Sequence, residues 1–161
     1  MLVLLFAIVI YTDWRWLRIP NVVTYPVMLV GLALGVAEAV PGELFVRGLA
    51  DHVAALVLAF AISYPFYSMG GLKAGDAKLL MAVGAVRGVN FLLVSTLYGA
   101  LLGGVMAVGI IAIRRARAAP GEAGSMRNVM KSKMPYGIAL GLGGLLALAL
   151  EAASVIRLGP S

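Results

Sequence analysis

From Val89 to Ile113 the chain runs without one charged side chain. As a helix that stretch rises about 37 Å, at 1.5 Å per residue. The hydrocarbon of a bilayer is roughly 30 Å thick. A water-soluble domain would have to wrap such a helix on every side, and the rest of this chain has little polar surface for the purpose. Hydrophobic residues make up 62% of it and charged residues 12%, where a soluble domain is nearer 45–50% and about a quarter. Mean hydropathy is +1.01. A polytopic membrane protein is the architecture this composition predicts.

Polar breaks divide the sequence into six apolar segments, at about residues 1–17, 22–40, 49–67, 76–88, 89–113 and 135–156. The expected fold is an all-α membrane protein, a single integral membrane domain built as a bundle of six transmembrane helices. Residues 114–133, basic and rich in small residues, read as one long cytoplasmic loop. The first segment has no basic residue ahead of it, and Asp13, Arg15 and Arg18 follow it in place of a small-residue cleavage site. It reads as a retained span and not as a cleaved signal.

The net charge of +6 does not point to nucleic acid, because the basic residues fall in the gaps between apolar segments. With six spans, ten of the 13 basic residues lie on one side, in the gaps 1–2, 3–4 and 5–6; Arg47, Arg87 and Arg157 lie on the other. The positive-inside tendency puts the ten in the cytoplasm and both termini outside. The chain has no cysteine and a single histidine, His52. That removes disulfides, a cysteine nucleophile and a histidine-rich metal site, and no metal or cofactor is expected.

Seven acids remain, and only Asp13 and Asp76 fall at the cytoplasmic ends of apolar segments. An ionisable group at the edge of a span is costly and is a functional candidate. Two carboxylates close enough to share a proton do not both ionise. The ionised one can take a proton from water while the protonated one donates to a peptide carbonyl, which is aspartyl proteolysis. Two other readings compete. Asp13 can pair with Arg15 or Arg18, and Asp76 with Lys73 or Lys78, as ordinary interfacial ion pairs. Or a small helical carrier or pore component can use Asp13 and Asp76 for ion coupling.

The wording around the two acids is specific. "YTDWRWLRIPN" (11–21) places Arg15, Arg18, Ile19, Pro20 and Asn21 after Asp13; "GGLKAGDAKLL" (70–80) places Gly75 before Asp76 and Lys78 and Leu79 after it. As a pair they resemble the motifs of the type IV prepilin peptidase family, the GxGD-type intramembrane aspartyl proteases. "KMPYGIALG" (133–141) is similar to that family's closing Pro-Tyr element. Lys73 departs from the pattern, standing where the motif has its first glycine. The resemblance implies catalysis by Asp13 and Asp76, supported by Gly75, Lys78, Pro20, Asn21 and Lys73. It implies an inner-membrane enzyme that removes the short basic leader from a prepilin or pseudopilin at the cytoplasmic face, cutting after a glycine. Bifunctional members carry a cysteine-bearing region linked to N-methylation; this chain is similar to the short, single-function members serving Tad/Flp-type pili, so cleavage without methylation is expected.

Other residues read as structural. Pro20 and Asn21 suit the start of the second helix, with asparagine as its cap. Trp14 and Trp16 suit interfacial anchors. His52 reads as a solvated residue of an external loop, beside Asp51. Lys78 is two positions from Asp76, so the two do not share a helix face. The glycines of the last two segments suit close helix packing or space for a substrate helix. The expected partners are the pilin-like substrate and the bilayer; homo-oligomerisation stays open.

Overall fold

The computed structural model describes residues 1–37, 44–117 and 136–156. Among them there are helices and no strand: α1 Leu2–Trp16, α2 Asn21–Ala37, α3 Leu44–Ser68, α4 Ala74–Arg117 and α5 Tyr136–Ala152. The basic segment expected over 114–133 lies outside the described residues from 118 onward, and so do residues 38–43, with Glu38 and Glu43.

Five helices stand where six were expected, because segments four and five fall in one helical element, α4. Inside it Gly88 has φ 75° and ψ −174°, which is not helical. That conformation is open essentially only to glycine. The chain turns back there. Before the turn, Arg87 meets Glu151 at the C-terminal end of α5. Beyond it, Gly103 lies against Ala139 and Tyr136 at the N-terminal end. The two arms of α4 therefore run along α5 in opposite directions.

Helices α1 and α2 each bury one stripe, while the first arm of α4 is buried nearly all round from Leu79 to Val86. In α1 the buried positions are Leu2, Leu5, Phe6, Val9, Thr12 and Asp13, and in α2 they are Thr24, Met28, Gly31 and Gly35. Steps of three and four residues put such positions on one helical face. The opposite faces are apolar as well: Leu4, Val22, Leu29, Val105 and Val108 are each more than 65% exposed. An apolar exterior of this extent suits lipid and not water. Two helical stretches, Gly48–Ser68 and Ala74–Ile113, are long and apolar enough to cross a membrane.

Small residues draw the backbones together, as packing in lipid requires. Gly143 of α5 lies against Gly99 of α4, Gly144 takes the ring of Phe6, and Gly31 of α2 faces the carbonyl of Ala85. Gly104 and Gly109 have open space where a side chain would be. The glycine-rich segments thus serve packing at some positions and leave room at others.

The end of the bundle at Arg87 and Glu151 differs from the sequence reading. Asp51 and His52, expected in an external loop, lie inside α3. His52 is buried, its Nδ1 2.7 Å from the carbonyl of Ala85 and 3.2 Å from that of Gly31. Asp51 packs on Gly88 and accepts a hydrogen bond from the Val89 N–H at 3.4 Å. A carboxylate bonding the first free N–H of the returning arm serves as its cap. Helix α3 starts early enough, at Leu44, to carry both residues into the packed region.

Candidate active site

At the other end of the bundle, α1 stops where Leu17 adopts φ 53° and ψ 33°, its N–H bonded to the Asp13 carbonyl. Left-handed closure is a common way to end a helix, usually through glycine. Pro20 then starts α2, its carbonyl accepting from Val23 N–H at 3.1 Å and Thr24 N–H at 3.4 Å. Asp13 is thus held in the last turn of α1, four residues past Val9 on the buried stripe, and is 1% exposed.

Asp76 lies in the first turn of α4, which the chain enters through Gly70 and Gly71. Lys73 N–H donates to Asp76 Oδ2 at 3.0 Å, and the Lys73 carbonyl accepts from Asp76 N–H at 3.0 Å. The Asp76 carboxylate thus folds back on the N–H before the helix, the half of a capping box that a third-position acid supplies. Three, four and seven residues on, Leu79, Leu80 and Val83 are buried beside it. Asp76 too is 1% exposed. Each carboxylate occupies an interior position of an otherwise apolar stripe, where burying charge is expensive unless partners offset it.

Those partners are helix ends and one lysine. Asp13 Oδ2 accepts from the Ile138 N–H at 3.3 Å, in the first turn of α5. The positive end of a helix favours a carboxylate there. Lys73 Nζ lies 3.6 Å from Asp13 Oδ1 and donates to the Leu17 carbonyl at 3.2 Å. Asp13 Oδ1 is buried and has no hydrogen-bond donor among the described residues. One residue therefore touches both acids, Lys73 reaching Asp76 by its backbone and Asp13 by its side chain.

Asp13 and Asp76 line one cavity of about 270 Å³ together with Leu17, Arg18, Ile19, Lys73, Ala74 and Gly75. Gly75 packs on Ile19. The remaining motif residues stand to one side. Lys78 donates to Asn21 Oδ1 at 2.9 Å and lies 4.9 Å from the centre of the Tyr25 ring. It ties α4 to α2 and is not directed at the acids. Asn21 is the first residue of α2 and uses its side chain for this tie, not as the cap the sequence suggested. Trp14 and Trp16 are 75% and 60% exposed, and Trp16 stacks edge-on with Tyr11 at 5.7 Å.

Two contributors were not singled out from sequence, Gly137 and Ile138. A Cβ on Gly137 would come within 2.9 Å of Asp13 Cγ. Only a residue without a side chain lets α5 bring the Ile138 N–H so near. The available signal was the Pro-Tyr-Gly wording at 135–137, of which Pro135 lies outside the described residues.

A helical bundle with an apolar exterior and two buried carboxylates in one cavity, a lysine ammonium beside one of them, defines the class: an all-α protein with a pair of buried acids at the end of its helices. Residues 1–108, which carry both aspartates, match the type IV leader peptidase family, and the chain belongs to that family. The family implies a peptidase. Comparison with curated proteins and with solved structures gave no match.

Proposed function

We propose that this chain is a membrane-embedded aspartyl endopeptidase that cuts the leader from prepilin-like substrates at the cytoplasmic face, with Asp13 and Asp76 as its catalytic pair. The observation that carries the reading is the meeting of two carboxylates, 63 residues apart in sequence, in one cavity between helix ends. In this mechanism one ionised carboxylate takes a proton from water and the water oxygen adds to the peptide carbonyl carbon. The other carboxyl gives its proton to the carbonyl oxygen. Collapse of the diol breaks the C–N bond: the leaving amine takes the pair's proton, a diol hydroxyl gives its proton back to the pair as the new carboxyl group forms, and the two acids return to their starting state. The acid and base roles belong to the pair.

Lys73, Gly75, Pro20, Asn21 and Lys78 are supporting residues in this reading. Lys73 touches both acids, Gly75 packs on Ile19, Pro20 starts α2, and Asn21 with Lys78 holds α2 against α4. The bundle crosses the membrane six times, with each arm of α4 as a span and both termini outside. The long apolar α4 and its reversal at Gly88 support that count. No cysteine accompanies the site, which supports cleavage without N-methylation.

The test is leader processing in membranes by Asp13→Asn and Asp76→Asn separately. Asparagine keeps an oxygen that can accept the Lys73 or Ile138 N–H, so the helix ends stay formed. Each variant should lose about 10²–10⁴-fold in cleavage rate, the usual contribution of a positioned acid or base. Wild-type rates in either variant would sink the pair.

A further inference from the structure

The two helices that carry the acids share little packing with each other. Helix α1 lies on α5 and only lightly on α2, whereas α4 lies on α2, α3 and α5. Two contacts join the end of α1 to the start of α4. Gly75 packs on Ile19, in the link between α1 and α2. Lys73 makes the other. Its Nζ donates to the Leu17 carbonyl at 3.2 Å and lies 3.6 Å from Asp13 Oδ1, while its backbone N–H holds Asp76 Oδ2 at 3.0 Å.

Both oxygens that the ammonium meets are electron-rich. The Leu17 carbonyl stands at the C-terminal end of α1, where a helix attracts a cation. Asp13 Oδ1 is buried, and no donor among the described residues bonds it. A buried carboxylate stripped of a nearby cation is left uncompensated, and its helix end has reason to move. We infer that Lys73 is the positioning residue of the pair: its ammonium clamps the end of α1 to the turn before α4 and so fixes Asp13 beside Asp76. This rests on the peptidase reading above and adds to it the side chain that sets the spacing of the acids. The clamp is reachable from outside. The Lys73 side chain is 36% exposed and lines a cavity of about 530 Å³ with Trp16, Leu17 and Arg18.

The chain has no cysteine, so Lys73→Cys gives the full-length protein a single thiol. In reconstituted vesicles 2-bromoethylamine alkylates it: the thiolate displaces bromide, and the product has lysine's length and a terminal ammonium. 2-Bromoethanol gives the same length with a neutral hydroxyl. Lys73→Cys should lower kcat on a prepilin reporter about 10²-fold, the cost of misplacing a reacting group by about 1 Å. KM should stay within about twofold, because the clamp acts on the acids and not on substrate binding. The aminoethyl product should regain at least about tenfold of the loss, and the hydroxyethyl product less than about twofold. Regain in protein already inserted separates the ammonium from folding. A second readout needs no cleavage. Spin labels at Trp14→Cys and Met69→Cys, both exposed positions, should show a narrow distance distribution with Lys73 and a wider one with Lys73→Met. The clamp is overturned if Lys73→Cys keeps the wild-type kcat, if both products regain activity equally, or if Lys73→Met leaves the distance distribution unchanged. A loss confined to KM also overturns it, and would assign Lys73 to substrate binding. If wild type cleaves no reporter, the peptidase reading itself fails, whatever the spin labels show, and the catalytic purpose of the clamp fails with it.

Discussion

Asp13 and Asp76 each continue a run of buried apolar positions: Leu2, Leu5, Phe6 and Val9 lead to Asp13, while Leu79, Leu80 and Val83 follow Asp76. Swapping either acid for leucine would extend an ordinary packing stripe. Their placement is therefore not that of interfacial acids solvated beside lysines, and the sequence pattern already contained this. What it could not contain is the third contributor. The Ile138 N–H reaches Asp13 across 125 residues of chain, and no local periodicity reports on a contact so distant. Gly137 makes that approach possible, so Gly137→Ala is a sharp test. The added Cβ would press on a buried carboxylate at 2.9 Å, and overpacking of this kind costs about 1–3 kcal/mol. The acid must move or α5 must retreat. A displacement near 1 Å at a reacting group can cost about 10²-fold. Leader processing should fall at least tenfold while the amount of protein in the membrane stays within about twofold. Normal processing by this variant would separate α5 from the site.

At the scale of elements, the informative one is α4. Its sequence shows no proline or charged cluster at the turn, only "AVRGVN", and the apolar runs on either side read equally well as one helix or two. The division expected from sequence rested on Arg87, yet the backbone turns on the glycine after it. Two features hold the turn: Asp51 caps the returning arm, and Arg87 pairs with Glu151 on α5. Asp51 could not be read as a cap from sequence, because its partner lies 38 residues away and its own neighbourhood looked like a loop. Gly88→Ala places a side chain at φ 75°, directly against the Asp51 carboxylate. Such backbone strain costs about 1–3 kcal/mol before the clash is counted. Unfolding by SDS titration in micelles should show a loss of at least that size. The fraction that remains folded should still cleave, because the turn lies at the end opposite the aspartates. An unchanged unfolding midpoint would mean that the two arms do not depend on Gly88.

For the molecule as a whole, charge and fold agree in a way that orients it. The end that holds the aspartates also carries Arg15, Arg18, Lys73 and Lys78, while at the opposite end Arg87 is matched by Glu151. In sequence, the basic residues of 118–133 precede α5, whose N-terminal turn contacts Asp13. Cations concentrate on the cytoplasmic side of membrane proteins, which supports the proposal that the site faces the cytoplasm. Counting passes from there, α1 ends at the site, α2 leaves it, α3 returns, the two arms of α4 leave and return, and α5 leaves. In the proposed topology these six passes put both ends on the outer side. A periplasm-active phosphatase fused after Ser161 should therefore be active, and a cytoplasm-dependent fluorescent protein fused there should stay dark. The same reporters inserted in 118–133 should give the opposite pattern. A fluorescent fusion at Ser161 would require an odd number of crossings, and since α5 leaves the site end as a single helix, the discrepancy would fall on α4. One arm would then lie along the membrane instead of crossing it, and the reversal at Gly88 would be a surface turn.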